Sequence, residues 1–376
     1  EGRSKPRPTT HVDITHLIEW LQANNFVKVG RSRVDHAVDA EGARNGFSSA
    51  KQALMALPKW DGTVRLDHFF DEVCGAREAD DDDPDDDIYK STTYLSSIGR
   101  KTFIAIVARI LRPGCKVDTV PVLEGKQGIK KSTLLEVMAL KPEWITKSFP
   151  ANLRDKDAMA HLPGHLIVEL SEMTQMTASK SDVVKSFISR EFDVYRPAYG
   201  RRNIRQARQG IFIGTTNLGT YLNDTTGHRR FWPLKCGTID IDKAQAWMPQ
   251  LYAEALVAYH AGEQWWLNAD MEKIADEFRA GREPEDLWED AIGTVVDKAM
   301  HAARVAGARY AWVTTRHCVD AIEPKLAVSE QRGAEMRIGN ILLKQGFEHR
   351  KKRDQNGRPK WFYRKKVATD GTDGTE

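Results

Sequence analysis

The segment LEGKQGIKKSTLL, residues 123–135, concentrates residue types that suit phosphate chemistry. From Gly125 to Ser132 it follows the pattern G-x-x-x-x-G-K-[ST], except that Lys130 stands where the pattern has its second glycine. Glycines let backbone amides turn toward a phosphate, a lysine reaches the terminal phosphates of a nucleotide, and a hydroxyl can bind Mg²⁺. The predicted nucleotide-binding residues are Gly125, Gly128, Ile129, Lys130, Lys131, Ser132 and Thr133.

The predicted cofactors of this loop are ATP and Mg²⁺. Lys131 is predicted to contact the β- and γ-phosphates, and Ser132 to supply a hydroxyl to the metal ion. The alternative is an ordinary strand–turn–helix connection in which the glycines occur by chance. Lys130 could reduce the rate of ATP hydrolysis, because a side chain at that position could crowd the phosphates.

Two carboxylates follow a second apolar run, in LIVELSE at residues 166–172. Glu169 and Glu172 are predicted jointly to hold the metal ion and position water, with Glu169 as the metal ligand beside Ser132. A third apolar run, IFIGTT, ends at Asn217, whose amide suits contact with the γ-phosphate or the attacking water. The alternative for Asn217 is a turn residue, which is a common use of asparagine.

Arg229 and Arg230 lie on a predicted loop before another apolar strand. Paired arginines in this position suit an arginine finger, which reaches the nucleotide of a neighbouring subunit and stabilises transition-state charge. The expectation is therefore that one of them acts in trans. A surface salt bridge is the alternative for either residue.

The predicted fold class is α/β, because short apolar strands near residues 120–123, 165–168 and 211–213 alternate with helical segments. After residue 285 the order changes to helix, strand, helix, helix and hairpin, which is the order of a winged helix-turn-helix. Four domains are predicted. Residues 1–95 form a helical N-terminal region with a disordered start and an acidic loop at 80–87. Residues 96–280 form an ATPase core, residues 281–366 a winged-helix domain and residues 367–376 a disordered tail.

The net charge of +3 is unevenly distributed along the 376 residues. Residues 350–366 hold nine Lys/Arg against one aspartate, and the segment from Arg196 to Arg208 holds five arginines and no acid. Two separate basic stretches on a nearly neutral chain predict a polyanionic partner, although solvated surface is the alternative. In the tail, the predicted DNA-contacting residues are Arg350, Lys351, Lys352, Arg353, Arg358 and Lys360.

Composition excludes several other classes of protein. The four cysteines are too scattered for a metal knuckle or a disulfide framework, which predicts reduced thiols. No run approaches the roughly 18 apolar residues that a membrane span needs. We therefore expect no membrane partner and a location in the cytoplasm of a bacterial host cell.

The motifs together resemble the virulence-associated E family of phage- and island-encoded ATPases, which are related to superfamily 3 helicases. The resemblance spans about residues 50–270 and rests on LPKWDGTVRLD (57–67), RPGCKVDTVPVLEGKQGIKKSTL (112–134), LIVELSEM (166–173), FISREFDVYRPAYGR (187–201), TTNLGTYLNDTTGHRRFWPL (215–234) and YAEALVAYHAGEQWWL (252–267).

The resemblance implies an AAA+-like P-loop ATPase core that assembles into a homo-oligomeric, usually hexameric, ring with ATP at the subunit interfaces. It also implies a hairpin that grips single-stranded DNA, here between residues 185 and 208. Cations with an aromatic residue suit a nucleic-acid backbone and its bases, although an ordinary basic loop is the alternative. The residues predicted for this contact are Lys185, Arg196, Tyr199, Arg201, Arg202 and Arg205.

The function predicted from these features is an ATP-driven, ring-forming DNA helicase or translocase of phage or mobile-element replication, contacting single-stranded and also double-stranded DNA. One alternative is a DNA-binding initiator or loader that uses ATP to assemble and unwinds little or nothing. Another is an ATPase that acts on a protein partner. Hydrolysis of ATP that DNA stimulates favours the helicase, and ATP-dependent assembly without hydrolysis favours the initiator. Hydrolysis that does not respond to DNA favours the ATPase that acts on a protein.

Overall fold

A five-stranded parallel sheet forms the centre of the structure, which is a computed structural model. Its strands, in order across the sheet, are β2 (Ile145–Thr146), β3 (Ile167–Ser171), β6 (Ile211–Thr216), β1 (Val120–Glu124) and β7 (Phe231–Lys235), and every neighbouring pair is parallel. The residues of β1, Val120–Glu124, and of β6, Ile211–Thr216, are buried throughout, as expected for strands covered on both faces. The α/β class predicted from the sequence is confirmed.

The structure describes residues 11–26, 28–44, 48–77, 86–147, 156–171, 178–197, 203–217, 219–222, 228–282, 288–322, 328–353 and 359–367. The strands of the parallel sheet are β1 Val120–Glu124, β2 Ile145–Thr146, β3 Ile167–Ser171, β6 Ile211–Thr216 and β7 Phe231–Lys235. The remaining strands are β4 Phe192–Tyr195, β5 Ile204–Ala207, β8 Tyr310–Val313, β9 Glu348–Arg353 and β10 Pro359–Lys366.

The helices up to the end of β6 are α1 His11–Ala23, α2 Arg31–Arg44, α3 Ser49–Met55, α4 Asp86–Leu111, α5 Lys131–Met138, α6 Lys156–Ala160 and α7 Ala178–Ile188. Those that follow are α8 Ile241–His260, α9 Ala269–Ala280, α10 Glu289–Val305, α11 Thr315–Ile322 and α12 Val328–Lys344. Among the described residues, no helix combines the length and the apolar content needed to cross a membrane.

The larger hydrophobic core joins one side of the sheet to α4, α5, α8 and α9, and it extends to the segment before α4. Leu66, Phe69 and Phe103 lie in this core, and the rings of Phe69 and Phe103 meet edge to face at 4.9 Å. The predicted division between residues 95 and 96 therefore falls inside α4, and residues on both sides of it share one core. Most of the acidic loop predicted at 80–87 lies outside the described residues, while Asp86 begins α4.

The C-terminal segment has a core of its own, built from α10, α11, α12 and the antiparallel sheet β8-β10-β9. Ile292, Ile338 and Leu342 are buried on the helices and Val313 on the sheet. The order is the predicted one of helix, strand, helix, helix and hairpin. Residues 354–358, which hold the predicted hairpin turn, lie outside the described residues.

A second antiparallel hairpin, β4 with β5, follows α7 and is anchored by a buried ion pair. The Arg208 guanidinium donates to both carboxylate oxygens of Asp193, at 2.7 and 2.8 Å, and to the carbonyl of Phe187 at 2.6 Å. Both charged side chains are 2% exposed. The pair ties the base of the hairpin to α7, whereas Arg205 lies exposed over the Phe192 ring.

Replacing Arg208 by Ala is expected to lower the free energy of unfolding by about 3–5 kcal/mol, because the buried Asp193 loses both short hydrogen bonds and retains only the longer contact with Arg190, at 3.9 Å. Arg205→Ala, on the same hairpin, is the matched control and is expected to cost less than about 1 kcal/mol, the value of an exposed cation–π contact. Urea unfolding followed by circular dichroism measures both. Equal losses in the two variants would contradict the anchoring role of Arg208.

Candidate functional site

The carboxyl end of β1 leads into a loop, residues 125–130, that reverses the chain before α5. Gly125 has φ +142°, and a Cβ atom there would lie 2.7 Å from Ile129 Cδ1 and 3.0 Å from the carbonyl oxygen of Cys236. Gly128 has φ +89°. Both positions therefore require glycine, one for close approach and both for their backbone conformation. Ile129 is half-buried and packs against the main core.

Lys130 is the residue that departs from the sequence pattern, and its backbone explains why the pattern has glycine there. It caps the N-terminus of α5 in the left-handed region, with φ 70° and ψ 28°. A residue with a Cβ atom costs about 1–2 kcal/mol in that region. The Lys130 side chain is exposed and lines the cleft above the loop, so the predicted effect on bound phosphates stays a prediction.

The Lys131 ammonium is buried at the start of α5 and is held by three neutral oxygen atoms. It donates to the carbonyls of Gly125 at 2.6 Å and Lys126 at 3.0 Å, and to Asn217 Oδ1 at 2.9 Å. Burial lowers the pKa of Lys131, and the nearby Cys236 and Glu169 oppose that shift. The loop thus presents a cation whose hydrogen-bond partners carry no charge.

Next to Lys131, a pair of hydroxyls converges on one carboxylate oxygen. Ser132 donates to Glu169 Oε1 at 2.8 Å, and Thr215 donates to the same atom at 2.9 Å. Glu169 is 3% exposed and lies in the middle of β3, two residues before the strand ends at Ser171, whereas the sequence pattern predicts it at the strand end. Glu172, its predicted companion, lies outside the described residues.

These groups line one open cleft at the carboxyl edge of the sheet, with a volume of about 700 Å³. The crevice beyond the carboxyl ends of parallel strands is where ligands bind in open α/β sheets. The lining residues are Gln127, Gly128, Lys130, Lys131, Ser132, Thr133, Glu169, Ser171, Thr215, Thr216 and Asn217. The structure therefore brings Lys131, Ser132, Glu169 and Asn217 together, as the sequence predicts.

A buried ionic cluster directly behind the loop is absent from the sequence predictions. Glu124, the last residue of β1, is 4% exposed and accepts hydrogen bonds from Tyr221 Oη at 2.8 Å and from Arg282 Nε and Nη2 at 3.0 and 2.9 Å. Burial and the Glu124 carboxylate raise the pKa of Tyr221, which keeps the phenol a donor. The sequence contained one sign of this cluster: Glu124 follows an apolar strand, and a buried carboxylate is normally paired with a cation.

Arg229 and Arg230 lie at the opposite edge of the sheet from this cleft. Their short 3-10 turn, His228–Arg230, precedes β7, whose Phe231 pairs with Val120 at the amino end of β1. At about 3.3 Å per residue, β1 separates the two edges by roughly 13 Å. Arg229 is exposed, and Arg230 Nε donates to Ser189 Oγ at 2.9 Å. Neither arginine contributes to the cleft of its own chain.

The predicted DNA-contacting residues fall into four groups. Those exposed on the surface are Arg196, Arg205, Arg350, Lys351 and Lys352. Tyr199, Arg201, Arg202 and Arg358 lie outside the described residues, and Arg353 and Lys360 are placed by their backbone in β9 and β10. Lys185 corrects the prediction: it lies on α7 and is 6% exposed, because its helix packs that face against the core, and so it is unavailable to DNA.

A family model described as the virulence-associated protein E-like domain matches residues 54–284, more than half of the chain. No curated protein matches. Among solved structures, the apo structure of the NrS-1 C-terminal region (305-718) is 14% identical, with 84% of this chain and 78% of that chain covered and a TM-score of 0.46. The A form apo structure of that region has the same identity and coverage at a TM-score of 0.44.

Lys130→Gly is expected to raise the free energy of unfolding by about 1 kcal/mol, because glycine adopts the left-handed backbone without a Cβ clash. Thermal unfolding of the full chain measures the change as a higher Tm. Lys126→Gly, in the same exposed loop, is the control and is expected to be neutral or destabilising. A lower Tm for Lys130→Gly would show that the lysine side chain contributes contacts that outweigh its backbone strain.

Proposed function

Since the chain belongs to the virulence-associated protein E-like family, we propose that it is an ATP-dependent DNA helicase or translocase that assembles into a ring and acts in phage or mobile-element replication. Its site of action would be the cytoplasm of a bacterial host. The observation that carries the proposal is the buried Lys131 ammonium, which neutral oxygens hold in an open cleft beside the Ser132–Glu169 pair. Its charge is left to attract an anion.

The donor set and size of the cleft suit a nucleoside triphosphate with Mg²⁺. A volume of about 700 Å³ lies within the roughly 300–1,000 Å³ usual for small-ligand sites. Ser132 and Glu169 offer the oxygen ligands that Mg²⁺ prefers, and this ion commonly uses only one or two protein carboxylates and retains several waters. When bound, Mg²⁺ neutralises charge on the phosphates.

The residues of the cleft would divide the work of hydrolysis, in which the γ-phosphoryl group passes from ATP to water to give ADP and phosphate. The amides at the start of α5 and the Lys131 ammonium would bind phosphate oxygens. A phosphate oxygen that takes the place of Asn217 Oδ1 on the ammonium releases the Asn217 amide to orient water. Glu169, with Glu172, would position the metal ion and that water.

The placement of the arginines supports a ring. Arg229 and Arg230 lie at the amino edge of the sheet, so that only a neighbouring copy could bring one of them to the nucleotide. A head-to-tail arrangement that presents the amino edge of one chain to the carboxyl edge of the next forms a closed ring when the rotation closes. Arg229 is the better finger, because Arg230 is held by Ser189.

The DNA contacts would come from two places. Exposed Arg196 and Arg205 lie on the β4–β5 hairpin, where cations suit a single-stranded backbone. The C-terminal segment has the element order of a winged helix-turn-helix, and the exposed cations of β9, including Arg350 and Lys351, suit the phosphates of single- or double-stranded DNA.

One alternative is favoured by a specific observation. The Lys130 side chain lines the cleft, where it could crowd the phosphates and slow hydrolysis. A protein that binds ATP with little turnover would be an ATP-assembled replication initiator or loader. ATP-dependent assembly and DNA binding without hydrolysis would identify this alternative.

Lys131→Ala is expected to reduce DNA-stimulated ATP hydrolysis by about 100-fold or more, the effect of removing a preorganised group that stabilises transition-state charge. Steady-state phosphate release with and without single-stranded DNA measures it. Lys126→Ala is the matched control, since that side chain is exposed on the same loop and is outside the cleft lining. Undiminished hydrolysis in Lys131→Ala would refute the site.

Mixing two inactive variants tests the contribution in trans. Lys131→Ala and Arg229→Ala are each expected to hydrolyse little ATP, whereas an equimolar mixture should recover activity at about a quarter of the interfaces, where each partner supplies the group the other lacks. Phosphate release after mixing, beside wild type diluted to the same ring concentration, gives the comparison. A mixture no more active than the separate variants would place Arg229 outside the neighbouring site.

A further inference from the structure

The sheet β8-β10-β9 has one face on the helical core and one that faces away from it. Side chains alternate between faces along a strand. Ala311 and Val313 of β8 are each 1% exposed, and Tyr363, which pairs with Val313, is also buried. Tyr310 and Trp312 therefore point to the opposite side, together with their neighbours in register. We call this side the outer face; its members used below are Tyr310, Trp312, Glu348, Arg350, Lys352, Phe362, Arg364 and Lys366.

Three partly exposed aromatic rings lie on the outer face, those of Tyr310, Trp312 and Phe362, and the first two each lie beside a cation. The rings of Trp312 and Phe362 are 6.2 Å apart between centroids, at 87° to each other. The Lys352 ammonium lies 4.5 Å above the Trp312 ring, and the Arg364 guanidinium 4.4 Å from the Tyr310 ring. The cations thus occupy the space over the rings that a flat, electron-rich ligand would fill.

Charge on this face is strongly one-sided. Arg350, Lys352, Arg364 and Lys366 point to it, and the acid opposite Arg364 in the register is Glu348. Glu348 is already engaged, since its carboxylate lies 3.1 Å from both Arg350 and Arg364. Lys352 and Lys366 are exposed. The complementary partner is therefore an anion with flat rings.

We propose that the outer face binds single-stranded DNA by stacking unpaired bases on Trp312 and Phe362, with the phosphates held by Lys352 and its neighbouring cations. Base stacking on aromatic residues of an open sheet requires bases that are free of the double helix, because a duplex hides their faces. The face thereby selects the separated strand. The inference rests on the proposed function only in taking DNA as the polymer.

Photo-cross-linking on the wild-type full chain tests the placement without any variant. Oligo(dT) of 30 nucleotides carrying 5-iododeoxyuridine is irradiated with the protein in the absence of ATP, and the adducts are located by mass spectrometry. Adducts on Trp312 or Phe362 are expected. Adducts confined to the 185–208 segment or to Trp361 would overturn the proposal.

Affinity for fluorescent oligo(dT), measured by anisotropy, tests the energetics. Trp312→Ala is expected to weaken Kd by about 5- to 100-fold, whereas Trp312→Phe retains most of the affinity. Trp361→Ala is the matched control on the other face of β10, where that ring is 57% exposed and stacks on His349 at 4.4 Å. Binding by Trp312→Ala within twofold of wild type, or an equal loss in Trp361→Ala, would overturn the proposal.

The salt dependence separates a phosphate contact from a packing effect. Lys352→Gln is expected to reduce the slope of log K against log salt by about 0.7, the value for one phosphate contact on a single strand. An unchanged slope would remove Lys352 from the site. The cross-linking assay contains no ATP, and so its result is independent of ATP hydrolysis. Lys131→Ala is therefore expected to retain the cross-links on the outer face even if the proposed ATPase activity is absent.

Discussion

The parallel pairing of β1 with β6 on one side and β7 on the other determines where every group of the site can lie. Parallel pairing places the carboxyl ends of the strands at one edge, and so the loop after Glu124 meets Asn217 after β6. The same pairing places the residues before β7, Arg229 among them, at the far edge. Within a single chain the cleft and Arg229 therefore lie at opposite edges of the sheet, and this geometric constraint is the main structural argument for the proposed ring.

The chemistry of the cleft follows from how the chain keeps a buried cation charged. Burial disfavours the protonated form of Lys131, and two carbonyls and an amide oxygen offset part of that cost. A carboxylate in their place would neutralise the lysine and compete with a phosphate. Glu169 instead accepts hydrogen bonds at Oε1 from the hydroxyls of Ser132 and Thr215.

Local sequence patterns were sufficient to identify the groups whose spacing is fixed by the loop and by the strand ends. Gly125, Lys131 and Ser132 belong to one short segment, and Glu169 and Asn217 each follow or occupy an apolar run, so that parallel pairing alone brings them together. Lys185 could not be placed in this way, because a single lysine in the sequence gives no sign of whether its helix face is buried. The left-handed backbone of Lys130 is likewise invisible in composition, although the glycine of the pattern indicates it.

The cluster of Glu124, Tyr221 and Arg282 shows the other limit of sequence reasoning and explains how distant parts of the chain are held at the site. Arg282 is separated from Glu124 by 158 residues, so no spacing rule relates them. The Arg282 carbonyl also accepts from the backbone amides of Tyr221 and Leu222, which fixes the segment after Asn217. A buried carboxylate at the end of β1 is tolerable only with these donors in place. The end of β1, which supports the loop, is therefore held by two distant segments: the chain after β6, through Tyr221, and the chain after α9, through Arg282.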